Sequence, residues 1–244
     1  YLTKIAEPQF PEYTEKDNSC YDKELCLIPE DLLAFIKDTQ PQKYDALYTQ
    51  YGANTDLKIV QLVADDINKS KLKTLKVLRE KVKDRGQYLD LVYFKPSHSK
   101  TPEHLEGYLK NRLTIIRQLK YSKKNENSID IVLFVNGIPV VTIELKNALT
   151  GQYLHHAIKQ YIQDRDPKEP LLEFKRCLVH FAVSTEQVSM CTELKGRGTF
   201  FLPFNKALIN HDDNDYATSY LWKDLLRKDS LLDLIQNYVN LQIN

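Results

Sequence analysis

The chain has 244 residues, 42% of them hydrophobic, enough to bury a sizeable core as one large domain or two small ones. Its 34 Lys and Arg against 33 Asp and Glu leave a net charge near +1, which excludes a bulk-basic polyanion binder; any such contact must come from a local basic face. No apolar run approaches the roughly 18–20 residues that cross a bilayer, and no signal-peptide pattern opens the chain, so the expected location is cytoplasmic with no membrane partner.

Residues 1–28 are polar and irregular, with Pro8, Pro11 and a charge-rich stretch at 14–22, and read as an arm. Because the chain begins at Tyr1 rather than Met, a native start is expected to be missing. At 29–37, a proline in a first helical turn, acids beside it and apolar spacing behind predict a helix; 54–68 and 71–82 give further amphipathic helices. The segment 87–95 (QYLDLVYFK) predicts a strand, 102–111 a short helix and 113–121 another strand. Asn136-Gly137 between two apolar runs predicts a hairpin over 129–146. A helix follows at 151–165, ended by Asp166-Pro167. Strands are expected at 176–184 and 187–194 around Thr185-Glu186, and a short one at 199–202. Leu221, Leu225, Leu226, Leu232, Ile235 and Val239 mark a closing helical segment over 219–241. The sum is an α/β (α+β) fold with a central mixed sheet of about five strands flanked by helices. Cys20, Cys26, Cys177 and Cys191 form no Cys-x-x-Cys pair and read as free thiols.

Three charges interrupt the apolar hairpin: Asp130, Glu144 and Lys146. Burying them is costly unless they are paired or hold an ion. Strand alternation places Ile129, Ile131, Leu133 and Val135 on one face, with Val141, Ile143 and Leu145 opposite them. Asp130 then shares the other face with Glu144 and Lys146. A plain two-residue loop would pair Asp130 with Ile143, so a three-residue connection over Asn136-Gly137-Ile138 with a bulge is predicted instead, which pairs Asp130 with Glu144. Two adjacent carboxylates suit Mg²⁺, a hard ion that takes one or two protein carboxylates. Asp, then Glu-x-Lys on the next strand, is a minimal kit for metal-assisted phosphodiester hydrolysis, with Lys146 stabilising phosphate charge or placing a water.

This pattern, Ile129-Asp130 and then Glu144-Leu145-Lys146, resembles the PD-(D/E)xK nuclease superfamily. A longer ordered series carries a closer resemblance: Tyr21-Asp-Lys-Glu-Leu25, Phe35-Ile-Lys-Asp-Thr-Gln-Pro41, Asn111-Arg-Leu-Thr114, Arg117-Gln-Leu-Lys-Tyr-Ser122, Asn127 through Pro139, Glu144-Leu-Lys-Asn147, Leu149-Thr-Gly-Gln152, Gln160-Tyr161, Asp164-Arg-Asp-Pro-Lys-Glu-Pro-Leu171 and Phe200-Phe-Leu-Pro-Phe-Asn-Lys206. Together, over residues 20–241, these are similar to the amino-terminal region of the restriction (HsdR) subunit of type I restriction–modification enzymes. The resemblance implies an endonuclease domain cutting double-stranded DNA, with Asp130, Glu144 and the Leu145 carbonyl on Mg²⁺ and Lys146 beside them. It implies as partners a helicase motor in the same subunit, which would bring the ATP, and separate methyltransferase and specificity subunits. The chain has no Gly-x4-Gly-Lys-Ser/Thr phosphate loop and reads as an excised piece. It divides into a mainly helical part at 1–85, a nuclease core at 86–210 and a helical segment at 211–244 leading to the absent motor. A non-catalytic module docking DNA or the motor, and a repair nuclease of the same superfamily, are the competing readings.

Two departures stand out. Relatives of this kind often carry Gln-x-x-x-Tyr on the helix after the Lys strand; here Tyr161 is preceded at that spacing by Ala157, with Gln160 immediately before it. A further Glu from an amino-terminal helix has no assignable counterpart. Gln160, Tyr161 and Arg165 are candidate DNA contacts, Arg165 competing with a salt bridge to Asp164 or Asp166. Lys159 and Lys168 can add phosphate attraction. Arg112, Arg117, Lys120, Lys123 and Lys124 form the densest basic stretch, either a DNA-backbone surface or a solvated face. His155-His156 reads as surface or partly packed, Asp212-Asp213 as a solvated loop, and Ser184 and Cys191 as core or strand residues.

Overall fold

In the computed structural model, which describes residues 10–70, 73–96, 102–147, 151–205 and 215–240, two prolines open the first two helices, α1 (Pro29–Thr39) and α2 (Pro41–Tyr51). A residue without an N–H costs nothing in a first turn. Helices α3 (Thr55–Lys69), α4 (Lys73–Arg79) and α5 (Pro102–Leu109) complete the amino-terminal layer. Helix α3 turns Ile59, Val60, Val63, Ala64 and Ile67 inward at helical spacing.

Among the described residues the central sheet has seven strands rather than about five. Its order is β1 (Thr14–Glu15), β4 (Leu113–Lys120), β5 (Ser128–Val135), β6 (Ile138–Leu145), β7 (Val179–Val183), β8 (Val188–Cys191) and β9 (Leu202–Pro203). Five of the expected strands form the middle, and the edges are two-residue strands: β9, which overlaps the short strand expected at 199–202, and β1, which was not expected. The β1–β4 and β6–β7 pairs are parallel and the rest antiparallel, so the sheet is mixed. Helix α6 (Leu154–Gln163) makes the β6-to-β7 crossover, as a parallel pair requires.

The sheet separates two apolar clusters. On one face Ile115, Ile131, Leu133, Val135, Val141 and Ile143 pack against α1, α3, α4 and the carboxy-terminal helices. On the other, Ile116, Val132 and Phe134 meet Tyr161 of α6 together with Leu171, Leu172 and Cys177. All four cysteines are free thiols, and no described helix is long and apolar enough to cross a membrane.

Three expectations change. Residues 41–51 are helical although only Leu47 of that segment is buried, too weak an apolar stripe to read from spacing. Within 87–95 only β3 (Gln87–Leu89) pairs, antiparallel to β2 (Val82–Asp84), outside the central sheet. Beyond it the backbone is satisfied by side-chain amides. Gln40 accepts from the Asp90 N–H and donates to its carbonyl, both at 2.8 Å, and Asn111 does the same for Tyr93 at 3.2 and 2.6 Å. The closing segment is helical but broken, with wide five-residue turns at Leu221–Leu225 and Leu234–Tyr238 around α7 (Lys228–Asp233). Asp212-Asp213, Leu149, Thr150 and Lys206 lie outside the described residues.

Candidate active site

The hairpin that carries the charges turns in two residues, not three. Val135 pairs with Ile138 across Asn136 and Gly137, whose φ values of 49° and 79° are the left-handed pair such a turn needs. The predicted register survives for another reason. Phe134 faces Pro139 but Leu133 faces Val141, so Val140 is an extra residue in β6. That one-residue shift continues through Ile131 opposite Ile143 and brings Asp130 level with Glu144. The bulge falls immediately after Pro139, which itself still pairs with Phe134.

The alternation also breaks once. Ile131 lies in the cluster shared with α1 and α3, while Ile129 lies across the sheet with Tyr161, so Asp130 stands where β5 turns over. Its Oδ2 accepts from the Leu145 N–H at 2.7 Å and its Oδ1 from Gln118 Nε2 at 2.8 Å.

Glu144 is 0% exposed. Arg165 Nε and Nη2 reach its Oε1 at 2.8 and 2.7 Å, and Nη2 also donates to the Ser128 carbonyl at 2.6 Å. No N–H or hydroxyl donor reaches its buried Oε2, and its carboxyl lies within hydrogen-bonding reach of the Asp130 carboxyl, so the two can share a proton. Burial pushes the Glu144 carboxyl up to about 8, Asp130 adds to the rise, and Arg165 only partly opposes it. The rise disfavours the bare carboxylate.

Lys146 continues from β6, its N–H donating to the Val183 carbonyl at 2.8 Å, which keeps it on Glu144's side of the strand. It is half-buried, forms no salt bridge among the described residues, and its charge helps to lower the pKa of His156 at the start of α6. Behind Glu144, Thr142 Oγ1 joins Tyr161 Oη at 2.8 Å and His180 Nδ1 at 2.7 Å in a buried chain. Burial pushes His180 down to about 4.

Several expected DNA contacts are placed elsewhere. Tyr161 is wholly buried against the sheet, because α6 turns Ala157 and Tyr161, one turn apart, inward together. Arg165 is 6% exposed and pairs with Glu144, not with Asp164 or Asp166. Gln160 is half-buried on α6. The basic stretch is paired throughout: Arg112 with Asp38, Arg117 with Glu15, Lys120 with Glu126, Lys123 with Glu24 and Lys124 with Glu169. His155 and His156 lie with ring centroids 3.9 Å apart, but His156 Nδ1 accepts the Tyr153 N–H and so caps its own helix. Sequence reasoning missed Gln118 and the Thr142–His180 pair. Only adjacency across the sheet reveals them.

Among the described residues no group of three or more His, Cys, Asp or Glu side chains converges. Two carboxylates do, one offering a buried oxygen with no N–H or hydroxyl donor, and that donor set fits a hard divalent cation that completes its shell with carbonyl, water or phosphate oxygens. A mixed sheet whose central hairpin brings an acid pair to its open end under a crossover helix is a nuclease-like α+β core. The chain belongs to the family of type I restriction enzyme R protein N termini, whose family model matches residues 31–199. No curated protein matches it.

Proposed function

We propose that this domain is the endonuclease of a type I restriction R subunit, cutting double-stranded DNA without reading its sequence and requiring Mg²⁺. The observation that carries the reading is the paired Asp130 and Glu144, two carboxyls close enough to share a proton, with no N–H or hydroxyl donor on the buried Glu144 Oε2. Asp130, Glu144 and the Leu145 carbonyl would hold the ion. When bound, it would supply Lewis-acid activation of the scissile phosphate and a more acidic attacking water. Arg165 fixes Glu144 through Oε1 and leaves Oε2 to the ion. The Leu145 N–H and Gln118 orient the Asp130 carboxylate from two strands. Lys146, free of any carboxylate salt bridge among the described residues, stabilises charge on the phosphate or orients the water.

DNA is held by backbone contacts, with sequence choice left to a specificity subunit, protection to a methyltransferase subunit, and ATP to the helicase motor of the same subunit. Gln160 remains the candidate contact on α6, with Lys120 and Arg117 able to exchange their acidic partners for phosphates. Lys146→Ala in the full-length subunit tests the reading. Cleavage is expected to fall by about a thousandfold, or about 4 kcal/mol, with ATP hydrolysis retained. Unimpaired cleavage would refute it and favour a non-catalytic docking module.

A further inference from the structure

Strand β4 contains a residue that should not be there. Gln118 has φ 49° inside an eight-residue strand, the left-handed region in which a side chain clashes with its own backbone. Such conformations persist only where their surroundings over-determine them, and they gather at functional sites. Apolar burial does not hold Gln118, since its side chain is exposed.

Its neighbours hold it by hydrogen bonds. Asn18 Nδ2 donates to the Gln118 carbonyl at 3.2 Å, and Asn18 Oδ1 accepts the Lys120 N–H at 2.6 Å, clamping the backbone on both sides of the kink. Arg117 faces Ile131 and Leu119 faces Ile129, so Gln118 stands level with Asp130. Both strands change face at this level. Ile115 lies in the α1-side cluster and Leu119 in the α6-side cluster, as Ile131 and Ile129 do on β5. The kink therefore belongs to the pair, and its product is one contact: Gln118 Nε2 donates to Asp130 Oδ1 at 2.8 Å, while Ser128 Oγ donates to Gln118 Oε1 at 2.9 Å and fixes which way the amide points.

With the Leu145 N–H on Oδ2, both oxygens of Asp130 are held, from β4 on one side and β6 on the other. We infer that Gln118 is a positioning residue, its strained backbone serving to lock the Asp130 carboxylate for a divalent cation shared with Glu144. The inference rests on the proposed metal-dependent reading of that acid pair. A carboxylate free to rotate would have to be ordered at the moment of binding, and partners of this kind typically contribute about 10- to 100-fold in metal affinity.

The test separates the amide from the backbone. Gln118→Gly removes the side chain at a φ that glycine adopts freely, and Gln118→Asn keeps a residue tolerant of this region with its amide one carbon short. Both variants should melt at or above the parent temperature, while Mn²⁺ binding measured by titration calorimetry weakens by about tenfold. In the intact R subunit the Mg²⁺ concentration for half-maximal cleavage should rise by a similar factor, with the rate at saturating Mg²⁺ largely recovered. Unchanged Mn²⁺ affinity in both variants, alongside binding abolished by Asp130→Ala, overturns the role of Gln118 alone. Unchanged affinity in Asp130→Ala as well overturns the reading of the acid pair and this inference with it.

Discussion

At the closed end of the β5–β6 hairpin every polar side-chain atom of Asn136 has a neutral partner, whereas at the open end the buried Oε2 of Glu144 has no N–H or hydroxyl donor and only the Asp130 carboxyl near it. Asn136 is 0% exposed; its Oδ1 accepts the Arg112 N–H at 2.7 Å, and its Nδ2 donates to the Leu91 carbonyl and to Asn111 Oδ1, both at 2.9 Å. Glu144 is equally buried and has Arg165 on one oxygen only. Equal burial with unequal satisfaction separates a polar group that stabilises a turn from one kept ready for something else. Substitutions should follow the same division, moving stability at the closed end and cation binding at the open end.

The largest stability effect is expected at Gly137. A Cβ there would lie 2.3 Å from the Ile28 carbonyl oxygen, at φ 79°. That oxygen belongs to the backbone just before α1, and the Gly137 carbonyl accepts the Ile28 N–H at 2.8 Å, so neither side can give way cheaply. Gly137→Ala should cost about 4 kcal/mol, combining left-handed strain with overpacking, read as a lowered urea midpoint. Asn136→Ala comes next. It abandons three hydrogen bonds, leaves the Arg112 N–H and Leu91 carbonyl wanting partners, and should cost about 3 kcal/mol in the same measurement.

On β7, beside Thr142 of the hairpin, His180 gives a pH-dependent version of the contrast. Its folded pKa lies near 4 against an ordinary value of 6.5, so between these pH values the unfolded chain binds the proton and the folded one does not. The contribution of His180 is therefore full above about pH 6.5 and falls as pH drops through that window, by about 3 kcal/mol in all, opposite in sign to Glu144, whose raised carboxyl loses stability as pH rises from about 4.5 to about 8. His180→Gln should flatten this part of the stability–pH curve. A curve of unchanged slope in the variant would show that the loss comes from other groups.

Much of this was legible in the sequence. Proline at a first turn placed α1, Asn-Gly placed the hairpin, and the spacing of the charges set Asp130 level with Glu144, although the alternation assumed for β5 breaks at Asp130. The unread parts share a cause: contacts made by residues distant in the chain. Residues 90–93 carry a strand's composition, but Gln40 and Asn111 supply amides where a neighbouring strand would stand. The loop length was misjudged because a longer loop and a bulge within β6 give the same register, and spacing alone does not separate them. Arg165 lies beside two acids in sequence yet pairs with a third 21 positions away. Gln118 has no local signature at all, since glutamine rarely marks a left-handed residue.

Glu144→Gln should move stability least and discriminate most. Burial and Asp130 hold the Glu144 carboxyl up to about 8, so near pH 7 its protonated form prevails in the absence of a cation. The amide is then close to an isostere of what it replaces. Its oxygen can still accept from Arg165, and its NH₂ can donate toward Asp130 where the acid's proton stood. Stability at pH 7 should change by less than about 1 kcal/mol. A divalent cation, by contrast, must displace that proton and bind the anion left behind, and an amide cannot become one. Mn²⁺ binding should therefore weaken by at least about 100-fold in a chain as stable as the parent. A variant that instead unfolds, with its cation affinity untouched in the folded fraction, would make Glu144 a structural partner of Arg165 and erase the difference between the two ends of the hairpin.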